Sequence, residues 1–357
     1  MQSDRGLKSL HLIGTVAALV LATSYTTQAS AEDLVMATWG GGVERVWEQA
    51  FAKPFEEKTG ISVKIVPVPS PEAQIRTQAA DPLYDVAIVT YPQGANLNRD
   101  GLIAPIDTAD VPSVAAISDK YTMKTKDGKL VGISPYFMYY AIAFNNTEAS
   151  KADFNSWRNL ADPKWKGRLA ITRPVYIASY DLPIMAKATG GSEKDDASGI
   201  DLLKKVVPNT LTSYSSIAHM NTLLTSGQIA AGPYYSGRVW QMRREGAPQV
   251  DIAIPEEGAL MIPYIVVVPK GVKSEKSDKI RQWLDYIAEA EPQERAAALG
   301  GYLPLNSKAV LPPKTAEEMG INLKDLMPRL YQPDWAYIAE TSKDKLNEVE
   351  KIIADAK

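Results

Sequence analysis

ATWGGGVERVWEQAFAKPFEEKTG, residues 37–60, sets three consecutive glycines between a short apolar run and a helix. The run from Asp33 to Thr38 has strand character. After the glycines, Val43, Val46, Trp47, Ala50, Phe51 and Phe55 recur at helical spacing and define one buried face. Thr59-Gly60 is a helix stop. The pattern then repeats. Ser62 to Val68 alternates as a strand, 72–80 reads as a short helix, and Tyr84 to Thr90 is a dense apolar strand suited to a sheet interior. Strand, helix, strand, helix, strand predicts an α/β fold with a mainly parallel sheet.

The glycines do not fit a nucleotide loop. A phosphate-binding loop of the Walker type needs Lys-Ser or Lys-Thr after its last glycine, and Val43-Glu44 follow Gly42. A dinucleotide fingerprint needs a third glycine where Arg45 stands. What remains is general physics. Glycine lets the backbone turn tightly and approach a ligand closely, and free amides at a helix start attract negative charge. In an open α/β sheet, ligands sit beyond the carboxyl ends of the strands. Trp39 and Gly40 lie at one such end, and Tyr91 at another. The alternative is equally open at this point: Trp39 belongs to the core and the glycines only make a turn.

Length, 357 residues, is enough for two domains or one large one. Net charge is −3, too small and mixed for nucleic-acid binding. Residues 1–31 have the layout of a secretory signal peptide: Arg5 and Lys8, an apolar run from Leu10 to Ala22, and Ala29-x-Ala31 as cleavage site. The run is short for a membrane span, so export to the periplasm with cleavage is expected. There is no cysteine, and one of the two histidines, His11, falls in the signal. His219 alone cannot build a multi-histidine zinc site. It lies in a segment without a nucleophile elbow, so a Ser-His-Asp triad is disfavoured and an ordinary helix histidine expected. No metal or cofactor is implied.

Further along, Lys129 to Ile133 and Tyr139 to Phe144 are strand-like, joined by an aromatic segment from Ser134 to Tyr140. A loop-rich stretch covers 155–167, and strands are expected at 168–172, 229–231 and 262–268. Helices are expected near 176–189, 198–206, 216–226, 239–245, 276–289, 292–299 and 340–355.

Several segments in order resemble the periplasmic solute-binding proteins of ABC importers, in the branch of spermidine/putrescine binders and related iron and opine binders. They include Thr38-Trp39-Gly40, Phe55 to Val63, Tyr84-Asp85-Val86, Ser156 to Leu160, Lys166 to Leu169, Gly227 to Ala230, Arg244 to Pro248, Ile254 to Gly258 and Gly301 to Pro304. The resemblance implies two α/β lobes joined by hinge-crossing strands near 138–144 and 260–268. Lobe 1 would hold 32–138 plus 265–305, lobe 2 would hold 139–264, and 306–357 would pack across both. It implies a monomer that closes on a small-molecule ligand and delivers it to a membrane permease, with no catalysis of its own.

For the ligand, the aromatic residues expected near the cleft are Trp39, Tyr91, Tyr136, Tyr176, Tyr234, Tyr235 and Tyr264. Polyamine-binding relatives combine aromatic walls with carboxylates for the ligand's ammonium groups. This chain departs from them: Arg173 and Tyr264 stand where the resemblance implies acidic residues. That reverses local charge and favours a carboxylate, with Arg238 adding to the effect. The competing reading pairs Arg173 with Asp181 on the surface. The expected site is therefore Trp39, Gly40, Tyr91, Tyr136, Arg173, Tyr235, Arg238 and Tyr264, holding an amino-acid-like or opine-like carboxylate. A polyamine is the alternative. Less favoured are ferric iron on Tyr234-Tyr235, a secreted hydrolase working with carboxylates alone, and an adhesin or interaction module.

Overall fold

The helix after the glycines forms as its spacing predicts. In the computed structural model, which describes residues 33–356, it runs over 42–59 and loosens to a wider turn at Trp47–Ala52. All six residues of its apolar face are buried, and Gly60 ends it at φ 75°, the left-handed conformation that suits glycine. The expected signal peptide lies outside the described residues.

Three parallel strands surround this helix: β1 (Leu34–Thr38), β2 (Val63–Pro67) and β3 (Val86–Thr90). The next six in chain order are β4 (Tyr136–Asn145), β5 (Leu169–Ile171), β6 (Thr210–Ser213), β7 (Ala231–Tyr235), β8 (Val250–Ala253) and β9 (Ala259–Val267). Their spatial order is β2-β1-β3-β9-β4-β7-β5-β6, with β8 on the far end of β4. Strands β5, β6 and β7 are again mutually parallel.

Strand β9 joins the two parallel groups. Its residues Tyr264–Val267 pair antiparallel with β3, and Leu260–Pro263 pair antiparallel with β4. Every residue of β4 and β9 is buried, which explains apolar runs without alternation.

Some elements differ from expectation for local reasons. Lys129–Ile133 is not a regular strand. Leu130 pairs singly with Ile106 and Ile133 with Val266, so no ladder propagates. The aromatic segment before Tyr140 is not a connector but the start of β4. Strand β7 begins where 229–231 was expected to end, because Gly232 and Pro233 disguise it. Helix Tyr91–Arg99 starts at a capping box between Thr90 and Gln93, so the strand gives way to a helix at once. The last helix begins at Trp335, earlier than expected, because the Asp334 side chain accepts from Tyr337 N.

At Gly232, an added Cβ would lie 2.3 Å from the Ala170 carbonyl oxygen. The adjacent backbones of β7 and β5 cannot part without breaking the sheet. Gly232→Ala should therefore lower stability by about 1–3 kcal/mol in urea unfolding, through overpacking; an unchanged midpoint would contradict this register.

Candidate functional site

A cavity of about 520 Å³ opens at the strand ends. Each of the six parallel strands delivers a residue at or just past its carboxyl end: Trp39 (β1), Pro69 (β2), Thr90 (β3), Thr172 (β5), Tyr214 (β6) and Tyr235 (β7). Four helices start at the same place: 42–59, 174–188, Ile217–Thr225 and Ser236–Arg244. Their capping residues are Gly41, Arg173, Ser216 and Tyr235, and only Ser216 caps with its own side chain. Spare amides and the positive ends of the helix dipoles therefore surround the cavity.

Aromatic rings form the walls. Trp39 meets Tyr264 edge-on at 5.8 Å, and Tyr136 stacks on Tyr302 at 4.6 Å. Trp47 Nε1 donates to the Tyr136 hydroxyl at 3.1 Å and fixes that ring from behind. Burial pushes the phenols of Tyr136, Tyr180, Tyr235 and Tyr264 far up, so they remain neutral.

The charged residues lining the cavity are Arg45, Arg173, Arg238 and Glu245. Arg45 and Glu245 face each other at 3.9 Å, both largely exposed at the mouth. Arg238 is half-buried, and its Nη1 donates to Gln241 Oε1 at 2.9 Å. The guanidinium of Arg173 lies 4.9 Å from the centre of the Tyr176 ring. Among the described residues, neither Arg238 nor Arg173 has a carboxylate partner.

Of the eight residues expected from sequence, seven line this cavity: Trp39, Gly40, Tyr136, Arg173, Tyr235, Arg238 and Tyr264. Tyr91 does not. It begins its helix with the ring turned into the core, where its hydroxyl donates to the Tyr121 carbonyl and shares a 2.7 Å hydrogen bond with Ser134 Oγ. Thr90 reaches the cavity from that strand end instead. The surface pairing of Arg173 with Asp181 also fails, since Asp181 is fully buried beneath the Tyr140 hydroxyl. Tyr234 points to the face opposite Tyr235 and donates to Asn221 Oδ1 at 2.7 Å. The adjacent tyrosines thus do not present two phenol oxygens to one point. His219 does not line the cavity; its Nδ1 accepts from Ser215 N at 3.2 Å.

Sequence reasoning missed Arg45, Gln241, Tyr214 and Tyr302. A signal existed for two of them: Arg45 lies in the first turn after the glycines, and Gln241 is one helical turn after Arg238.

The geometry is that of a ligand pocket at strand carboxyl ends, and comparison with known proteins agrees. A family model described as bacterial extracellular solute-binding protein matches residues 50–321. The chain belongs to this family. As a solute-binding protein it is the capture component of an ABC transporter. It is similar to the spermidine/putrescine-binding periplasmic protein of Escherichia coli, 23% identical over 74% of this chain and 76% of that protein. It is also similar to the gamma-aminobutyric acid-binding protein of Pseudomonas aeruginosa, 22% identical over 86% of this chain and 87% of that one. The solved structure of AgtB from Agrobacterium tumefaciens R10 in complex with agropinic acid has a TM-score of 0.70 at 19% identity, covering 90% of this chain and 98% of that one. This solute-binding protein therefore has the periplasmic binding protein fold. No helix among its described residues is long and apolar enough to cross a membrane.

Behind the cavity wall, burial pushes the Asp181 carboxyl from 3.8 up to about 8, against the opposing effect of the Tyr140 hydrogen bond. The folded chain then holds a proton that the unfolded chain releases. Stability from this group is complete below the unfolded value, falls as pH rises above it, and levels off beyond the folded value. Melting temperatures measured from pH 4 to 8 should fall more steeply for the wild type than for Asp181→Asn. The variant should be more stable near the alkaline end, by at most about 5 kcal/mol; equal slopes would refute the buried-acid assignment.

Proposed function

We propose that this protein captures a small solute bearing a carboxylate, amino-acid-like or opine-like, and hands it to a membrane permease. The observation that carries the reading is the charge balance of the cavity. Its one lining carboxylate, Glu245, is opposed by Arg45, while Arg173 and Arg238 have no carboxylate partner among the described residues. A guanidinium half-removed from water, as that of Arg238 is, with donors left over beyond its bond to Gln241, is suited to a carboxylate. Four helix starts act with the same sign. The aromatic walls supply apolar contact for the rest of the solute and a flat face for a cationic group. Relatives named for gamma-aminobutyric acid and solved with agropinic acid support the same class.

A polyamine is the second reading, since a relative is named for spermidine and putrescine. Against it, two ammonium groups would meet one lining carboxylate and three arginines.

In this reading residues 1–31 direct export to the periplasm and are removed. The crossing strands β4 and β9 act as the hinge between a lobe of 32–138 plus 265–305 and a lobe of 139–264, with 306–357 packed across them. The monomer closes on its solute, and ATP is hydrolysed by separate subunits.

Thermal shift of residues 32–357 tests this. A ligand that binds only the folded chain raises its melting temperature by mass action. 4-Aminobutyrate and opines should stabilise the protein, and putrescine should not. Arg238→Ala should weaken binding by at least about thirtyfold, because it removes a charged partner from a partly desolvated site. For the more exposed Arg173→Ala, roughly tenfold is expected. Stabilisation by putrescine or spermidine alone would reject the carboxylate reading.

A further inference from the structure

Strand β4 has a second side. Its residues Tyr136 and Met138 reach the cavity described above, so Tyr139, the residue after Met138, points to the opposite face. There it lines a separate open cavity of about 650 Å³, bordered on one side by the segment 316–329. Tyr139 is only 3% exposed, yet its hydroxyl has no hydrogen-bond partner among the described residues. A hydroxyl that no protein group bonds and that opens on a cavity keeps its donor and acceptor capacity for whatever fills that space.

The groups around that hydroxyl are charged. Asp251, Arg329 and Arg243 are close enough to act on its ionisation, and all three line the cavity. Asp251 is already occupied: it accepts from Ile252 N at 2.8 Å and lies 3.5 Å from Arg243. Arg329 spends Nη2 on the Ile254 carbonyl at 2.7 Å. Both guanidinium groups retain other N–H donors. Glu317 and Asp325, with no ion pair among the described residues, and Lys151 complete the charged lining, and like the two arginines they are exposed.

We propose that this cavity is a second ligand site, for a small zwitterion whose carboxylate is held by the Tyr139 hydroxyl, Arg243 and Arg329, and whose ammonium group faces Glu317 and Asp325. The lining carries three cations and three anions, so a solute of either net charge gains less than one carrying both. The site shares strand β4 with the first cavity but no lining residue. It does not depend on which solute the first cavity takes.

The probe is 6-aminohexanoate, added to isotopically labelled residues 32–357 and followed by backbone amide shifts. Saturable shifts are expected at Ile252 and Gly320, with an affinity separate from any shifts at Gly40 to Gly42. Tyr139→Phe should weaken the Ile252 response about tenfold, the loss of one hydrogen bond to a charged group. Because the hydroxyl has no protein partner, the same variant should melt at or above the wild-type temperature, which separates lost binding from lost folding. Arg329→Gln should weaken the same response and leave Gly40 to Gly42 unaffected. Hexanoate and hexylamine, each lacking one charge, should bind more weakly. No shift at Ile252, shifts confined to Gly40 to Gly42, or an unchanged affinity in both variants would overturn the proposal.

Discussion

Strand β9 satisfies its backbone on two different neighbours, β4 along its first half and β3 along its second. A strand buried along its whole length must place every N–H and C=O in a ladder. Apart from contacts with Ile133 and with Leu330–Tyr331, this one does so by linking two groups of parallel strands. Because each group runs with its carboxyl ends toward the junction, six strand ends and four helix starts converge on a single space. The cavity is thus a product of topology before any particular side chain is considered.

Side chains then decide its chemistry. Neutral tyrosines form the wall. Arg173 is left without a carboxylate partner by a simple displacement: Asp181, the acid nearest to it in sequence, is folded inward under Tyr140. The glycine string has its explanation here too. A Cβ at Gly42 would lie 3.2 Å from Arg238 Nη1 and 3.4 Å from Gln241 Oε1. The glycine lets one helix start press against the side of another helix, which sets Arg238 and Gln241 at the cavity edge.

Much of this was legible in the sequence where a periodic signal coincided with burial. The face of helix 42–59 was fully specified by spacing, and the crossing strands by their unbroken apolar runs. The site residues were legible where they follow directly on a strand, as Trp39, Gly40 and Arg173 do. Tyr91 misled because a strand end was visible but the capping box was not weighed; the helix that starts there rotates Tyr91 into the core and leaves Thr90 at the surface of the cavity. Tyr302 was hidden because it comes from a distant chain segment brought to the cavity only by the fold. Short strands β6 and β8 carry no periodicity long enough to read.

The tryptophans follow an uneven distribution with an optical consequence. Of the seven in the chain, Trp47, Trp157, Trp165, Trp240, Trp283 and Trp335 are buried, and Trp39 alone is half-exposed, against Tyr264 in the cavity. Six indoles are therefore shielded from water, and one senses whatever fills the space beside it. The protein carries its own emission probe at the mouth of the strand ends. The part of its fluorescence that water or a quencher can reach reports on that cavity and on little else.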